Sequence, residues 1–453
     1  MSNRQDKKGH THTPACECGP HSAHDLSRHA GSSLDGMVDG GMASLVQPTL
    51  VRAVFSGSLQ RRHLLQTLGW AGAIALLKDL LPIASLEAMA AEKKPLEKAD
   101  LTLGFLPITC AAPLLLADQL GLFKEAGLDV ELVKTPGWAV VRDRLIKGEY
   151  DASHILSPMP LATTLGIGMA PTPLPLALIQ NTNGSAITIA SKHAQKRKPE
   201  DWKGFRFGIP FEASPHNFLL RYFLAEHGLE PDKDYQTTVI SPPEMLAQLK
   251  AGTIDGFIVA EPFNQIAVQQ GVGYIHSLSC NIWGGHPCCG FSVNANLIKA
   301  APNSYLALAG AVVRGALHAQ DGANRKDLGA KLSPAKYLNQ PPEVLDAIFT
   351  GTFQNGLGET VTEPKRIEFD PMPYHSFAVW MLTQMKRWGM APDDLNYAKI
   401  AEQVFLAADA APVIKDAGGT VKDTMSPGFT IMGKVFDPGK PEDYVKSFAI
   451  RKS

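Results

Sequence analysis

The sequence predicts an α/β protein of two lobes, each a doubly wound sheet, with hinge strands between them. Three observations carry that reading. Two stretches about a hundred residues apart echo one another: Leu145-Ile-Lys-Gly-Glu-Tyr-Asp-Ala-Ser-His-Ile-Leu-Ser-Pro158 and Leu249-Lys-Ala-Gly-Thr-Ile-Asp-Gly-Phe-Ile-Val-Ala-Glu-Pro262. In each, a helical pattern stops at a glycine (Gly148, Gly252), an aspartate follows (Asp151, Asp255), and a short apolar run ends at a proline. That is the order expected of a helix, its C-cap, a buried parallel strand and a breaker. Around both echoes, strand-length apolar runs alternate with helical patterns, as parallel sheets require. Finally, 453 residues exceed one ordinary domain. Ligands of open parallel sheets bind beyond the carboxyl ends of the strands, so Ser157-Pro158 and Ala260-Glu261-Pro262 are expected to face each other across a cleft.

Composition narrows the function. A net charge of −1 gives no bulk attraction to nucleic acid or to an anionic membrane, which sets nucleic-acid binding aside. The 33 prolines and 40 glycines imply many loops, some lining a site. Six cysteines, two near the start (Cys16, Cys18) and four in the body (Cys110, Cys280, Cys288, Cys289), are too few for a disulfide scaffold. They allow one bridge, from Cys280 to Cys288 or Cys289.

Residues 1–97 read as a leader outside the fold. The opening is polar and rich in His, Gly and Ser, with little to bury. It crowds His10, His12, Cys16, Cys18, His21 and His24, all metal-ligand types, into a short run. Then come Gln60-Arg-Arg-His-Leu-Leu65, the mostly apolar Leu64 to Leu77, and Ala88-Met-Ala90. An arginine pair, an apolar run and a small-x-small site resemble a twin-arginine export signal cleaved after Ala90. The competing reading is an amphipathic helix on a disordered tail. No other stretch approaches ~20 apolar residues, so a soluble body is expected.

The body begins with a strand at Leu101–Leu106, a helix from about Ala112 to Lys124 and a second strand at Leu128–Val133. A helix from Trp138 to Lys147 leads into the first echo strand. Leu174–Gln180 and Ala186–Ala190 follow, separated by Asn181-Thr-Asn-Gly184. Loops at 107–113, 135–138, 157–160 and 181–185 should share one edge of this lobe. The basic run Ser191–Lys203 is the expected crossing to the second lobe. There, Phe205–Ile209 is a strand, and Ser214 serves as N-cap with Pro215 at N1 of a helix running to His227. Strand Thr237–Ile240, helix Pro243–Lys250 and the second echo complete the motif. Tyr274–Leu278 and Gly290–Val293 flank a loop, Cys280-Asn-Ile-Trp-Gly-Gly-His-Pro-Cys-Cys289. Beyond Asn294 the pattern is helical almost throughout and is expected against the first lobe. The resulting division is 98–203 with 294–445 for lobe 1, and 204–293 for lobe 2.

Several side chains stand out against plainer readings. Trp138, at a loop-to-helix junction, suits an apolar wall over a flat ligand or a core anchor equally well. His216 sits among the free N–H groups of a helix start, where it either contacts an anion or caps the helix. Asp151 and Asp255, at strand starts, are structural. Glu261 beside an anion is unfavourable unless it holds a donor or a cation, so it reads as a positioning group. Cys288 and Cys289, with His286 before them and Cys110 on the facing loop, suit a soft metal ion, a disulfide with Cys280, or simple burial.

Read together, Gly104-Phe-Leu-Pro-Ile-Thr109, Gly121-Leu-Phe-Lys-Glu-Ala-Gly-Leu-Asp-Val130, Trp138 with Arg142-Asp143, Pro158-Met-Pro-Leu161, Asn181-Thr-Asn-Gly184, His216-Asn217, Asp255-Gly-Phe257 and Glu261-Pro262 form an ordered set. Over roughly residues 99 to 400 it resembles the nitrate- and bicarbonate-binding proteins that deliver anions to ABC importers. The resemblance implies a two-lobed, type II periplasmic-binding-protein fold closing on a small anion. It places ligand contacts at Trp138, Ser185, His216, Ala260 and Cys289, and Thr109 and Glu261 on the cleft edge are added to them as candidate ligand-binding residues. Two positions depart from the family pattern: Ser185 stands where a glutamine is usual, and Cys288-Cys289 where an acidic residue and a ligand-contacting lysine are usual. The implied protein is an exported, monomeric, non-enzymatic binder without cofactor, at the periplasmic face of the inner membrane, serving a permease and its ATPase subunits. The alternatives are an enzyme on the same fold using a pocket thiol and His216, and a cytosolic nitrate sensor.

Overall fold

The computed structural model describes residues 95–452. The histidine- and cysteine-rich tract and the arginine-pair segment lie outside the described residues.

Ten strands, with one short strand besides, build the two sheets: β1 (Asp100–Phe105), β2 (Asp129–Lys134), β3 (Ala152–Leu156), β4 (Leu176–Asn183), β5 (Ser185–Ala190), β6 (Arg206–Ile209), β7 (Gln236–Val239), β8 (Gly256–Ala260), β9 (Gly273–Leu278) and β10 (Pro287–Val293). In the first sheet the order is β4-β10-β3-β1-β2, with the short strand Ile367–Glu368 beyond β4; β10 and that short strand run against the other four. The second runs β7-β6-β8-β5-β9, with β5 the reversed strand. Two α/β sheets with helices on their faces, joined by two chain crossings, make the two-lobed periplasmic-binding-protein fold.

The echoed stretches do the same work in both lobes. Gly148 and Gly252 end their helices at φ +76° and +74°, a left-handed turn that costs glycine nothing. Three residues on, each aspartate receives the start of the neighbouring parallel strand. Asp151 Oδ2 accepts the Thr102 N–H of β1, and Asp255 Oδ2 accepts the Arg206 N–H of β6, both at 3.0 Å. Each therefore fixes the register between the two central strands of its sheet, which is the structural role expected of it.

The crossing point differs from the sequence expectation. β5 belongs to the second sheet although it precedes the basic run 191–203, so the chain crosses at Gly184. It returns through 279–286, because β10 belongs to the first sheet. Continuous strand hydrogen bonding, rather than local polarity, decides where a lobe ends. Gly184 has φ +79°, and a Cβ there would stand 2.9 Å from both the Asn181 amide and Ile367. The crossing therefore requires glycine.

The C-terminal segment also departs from expectation. Helix Pro302–Gln320 lies on helix Ala112–Gln119 of the first lobe, as anticipated. Helix His375–Arg387, however, packs on the second lobe's helix Pro215–Glu226. The Trp380 ring lies 6.4 Å from Tyr222, and the hydroxyls of Tyr222 and Tyr444 are 3.1 Å apart. Trp380, Tyr444 and Phe448 join Tyr222, Trp283 and Arg387 in one aromatic cluster on that side. Three further short strands and a hairpin, Phe429–Ile431 with Lys434–Phe436, interrupt the helices of this region.

Candidate functional site

The carboxyl ends of both sheets meet at one buried cluster. On the first-lobe side, β1 ends in a tight turn, Thr109–Ala111, that carries Cys110 inward. Helix Trp138–Lys147 begins with Trp138 itself, and β10 brings Cys288 and Cys289 beside β3 and β4. On the second-lobe side, β5 begins at Ser185, opposite Ala260 at the end of β8. Helix Pro215–Glu226 presents His216 in its first turn, and Ser214 caps it by accepting the Asn217 N–H at 3.0 Å. That cap, with Pro215 at N1, follows the sequence expectation in every part.

Between them the side chains form a chain of short contacts. Ser185 Oγ is 3.0 Å from His216 Nε2 and 3.5 Å from Cys288 Sγ. Cys288 Sγ lies 3.7 Å from His216 Nε2, 3.8 Å from Cys110 Sγ and 4.0 Å from Cys289 Sγ. Cys110, Cys288 and Cys289 are each fully buried, with all three sulfurs within 4.8 Å of one another. Trp138 and Ala260 belong to the same buried cluster as the three thiols. The Trp138 ring meets His154 edge-on at 5.4 Å.

This corner is rich in polar atoms with no protein partner: Trp138 Nε1, both ring nitrogens of His154, His216 Nδ1 and both ring nitrogens of His286. Buried donors and acceptors are rarely left unpaired in a folded protein. Burial lowers His154 to about 3 and His286 to about 4, so both rings are neutral near pH 7. Burial also pushes the Cys110 and Cys289 thiols well up. At Cys288 burial acts the same way, but hydrogen bonds from the other two thiols and the nearby His216 outweigh it and hold the group well below the usual thiol range.

The two lobes also meet directly. The Thr109 N–H and hydroxyl both donate to the Glu261 carbonyl oxygen, at 3.0 and 3.1 Å. Glu261 is held in turn by Arg366, whose Nη2 lies 2.5 Å from Oε1, with both side chains fully buried. The carboxylate therefore faces a cation of its own. At the cleft mouth, a cavity of about 310 Å³ is lined by Leu106, Ile108 and Lys134 on one side and by Pro242, Pro243 and Phe263 on the other.

Four details correct the sequence reading. Cys288, rather than Cys289, meets Ser185 and His216. Cys288 and Cys289 lie on a strand rather than in a loop, and the register shift between Pro287 and Cys289 brings both thiols to one side. His286 is buried but outside the group of three thiols. Cys280 is free, as are the other described cysteines, so no bridge joins it to Cys288 or Cys289. Two participants gave little signal: His154 reads as part of an apolar strand, and Arg366 lies 105 residues from its partner.

Comparison with known proteins agrees with this architecture. Residues 94–333 match the NMT1-like family. The chain belongs to that family. Among curated relatives, the nitrate/nitrite binding protein NrtA of a Nostoc species is 33% identical over 400 residues, covering 82% of this chain and 90% of the relative. The nitrate import ATP-binding protein NrtC of Synechocystis is 32% identical, and this NMT1-like chain spans 56% of its length. The crystal structure of the periplasmic nitrate-binding protein NrtA from Synechocystis superposes with a TM-score of 0.74 at 29% identity, covering 79% of this chain and all of that one.

Proposed function

We propose that this chain is the solute-binding component of an ABC importer. It captures a small anion of the nitrate, nitrite or bicarbonate class between its lobes and hands it to a permease driven by ATPase subunits. The chain acts outside the inner membrane and catalyses no reaction. The observation that carries this is the set of unpartnered buried donors gathered where both sheets end, in a member of a family whose relatives bind nitrate. Trp138 Nε1–H and the His216 ring would donate from opposite lobes, with Ser185 beside His216 and Ala260 leaving room at the end of β8. Thr109 and Glu261 act on closure instead, since their hydrogen bonds exist only when the lobes meet. Export through the arginine-pair segment completes the proposal.

The test is a thermal-shift and calorimetric screen of nitrate, nitrite, bicarbonate and cyanate. A ligand that binds only the folded, closed form raises the melting temperature by an amount set by its concentration over Kd. His216→Ala should weaken the response at least tenfold. No response to any of these anions contradicts the proposal.

A further inference from the structure

An enclosed anion would find little positive charge in this site. Among the described residues no lysine is buried, and the guanidinium of Arg366 is already paired with Glu261. What the site offers instead is sulfur. Three cysteines packed merely as small apolar groups have no reason to converge, yet Cys110, Cys288 and Cys289 come from two separate chain segments to one point. A serine hydroxyl and an imidazole approach the same sulfur.

We propose that Cys110, Cys288 and Cys289 form a binding site for a thiophilic metal ion of the zinc class, closed on its fourth side by His216. The spacing fits. An ion ~2.3 Å from each sulfur in a tetrahedral site holds the sulfurs about 3.8 Å apart, and an imidazole nitrogen about 3.5–3.6 Å from each sulfur. The separations that involve Cys288 match it, at 3.8 Å to Cys110, 4.0 Å to Cys289 and 3.7 Å to His216 Nε2, and Cys110 and Cys289 lie within 4.8 Å of each other. His216 approaches on the Cys288 side and must advance toward the other two sulfurs, leaving Ser185, to complete the set. Nε2 is the ring nitrogen that His216 turns toward the thiols, so it is the atom that would ligate. The three thiols are on the first lobe and His216 is on the second, so metal capture and lobe closure become one event. In this respect alone the inference rests on the two-lobed capture reading.

The experiment loads the reduced full-length chain with Zn(II), Co(II) or Cu(I) and removes loosely held ion with a competing chelator. Bound metal is measured by elemental analysis, and the Co(II) form by its visible spectrum. The wild type should retain about one more equivalent than Cys288→Ala or Cys110→Ala, and Cys280→Ser should match the wild type. Comparing variants in the same full chain cancels any ion held by the histidine-rich leader, and circular dichroism verifies that each variant is folded. The Co(II) form should show intense tetrahedral thiolate bands that weaken in His216→Ala. Equal metal content in wild type and folded Cys288→Ala overturns the proposal. Metal uptake without any anion response keeps this inference and removes anion capture; an anion response without metal uptake does the reverse.

Discussion

Glu261→Gln tests how the lobe contact is supported. Glu261 and Arg366 are both fully buried and 2.5 Å apart, and Arg366 also donates to Gln265 Oε1 at 3.0 Å while its guanidinium lies 3.9 Å from the Phe353 ring centre. The substitution keeps the shape but leaves the guanidinium charge uncompensated in the interior. Breaking such a pair from one side costs ~3–5 kcal/mol. With an unfolding entropy of ~2.1 cal/mol/K per residue, the described body has about 0.75 kcal/mol/K, so the loss corresponds to a fall of roughly 4–7 °C in Tm. Calorimetric melting at neutral pH measures it. Replacing both members, Glu261→Gln with Arg366→Met, should recover at least half of the loss, because the stranded charge is gone. A single variant melting within about 1 °C of wild type would refute the reasoning, as would a double variant no better than the single one.

Three further expectations concern other parts of the fold. Gly184→Ala places a Cβ against Asn181 and Ile367 in a left-handed conformation, and should destabilise by at least ~1–2 kcal/mol in chemical denaturation. Burial raises the Asp255 carboxyl, but hydrogen bonds from His193, the Arg206 N–H and Lys192 outweigh it and hold the group below the usual aspartate range. Its contribution is therefore present above the unfolded value and lost as pH falls below ~4, so Asp255→Asn should flatten that part of the acid dependence of Tm. Cys280 is the most accessible of the described thiols. Burial pushes its thiol up to about 12, so alkylation should be slow, yet mass-spectrometric mapping should find it modified before Cys110, Cys288 and Cys289, which reagent reaches only as the chain opens.

Much of this was legible because it is local. The repeated helix, glycine, aspartate and strand sequence specified both central strand pairs. Ser214 and Pro215 announced the helix start that carries His216, and Trp138 opens its helix as its loop suggested. What was hidden depends on distant pairing. The run from Leu176 to Ala190 shows two strands, but only hydrogen bonding to β8 and β9 reveals that the second belongs to the other lobe. Strand alternation alone would send Cys288 and Cys289 to opposite faces, and the register shift that gathers them has no sequence signature. The Arg366 partner of Glu261 arrives from a segment read as helical, where a single arginine carries no mark of burial.

The central claim is that the lobes close over a small ligand, and an interlobe distance measures that most directly. Spin labels carried by non-cysteine side chains at Lys134 and Glu244, exposed positions on opposite sides of the cleft mouth, report it by pulsed electron resonance. The account predicts a broad or longer distance distribution in the ligand-free chain that shortens and narrows when the captured solute is added. Identical distributions with and without saturating ligand would contradict it.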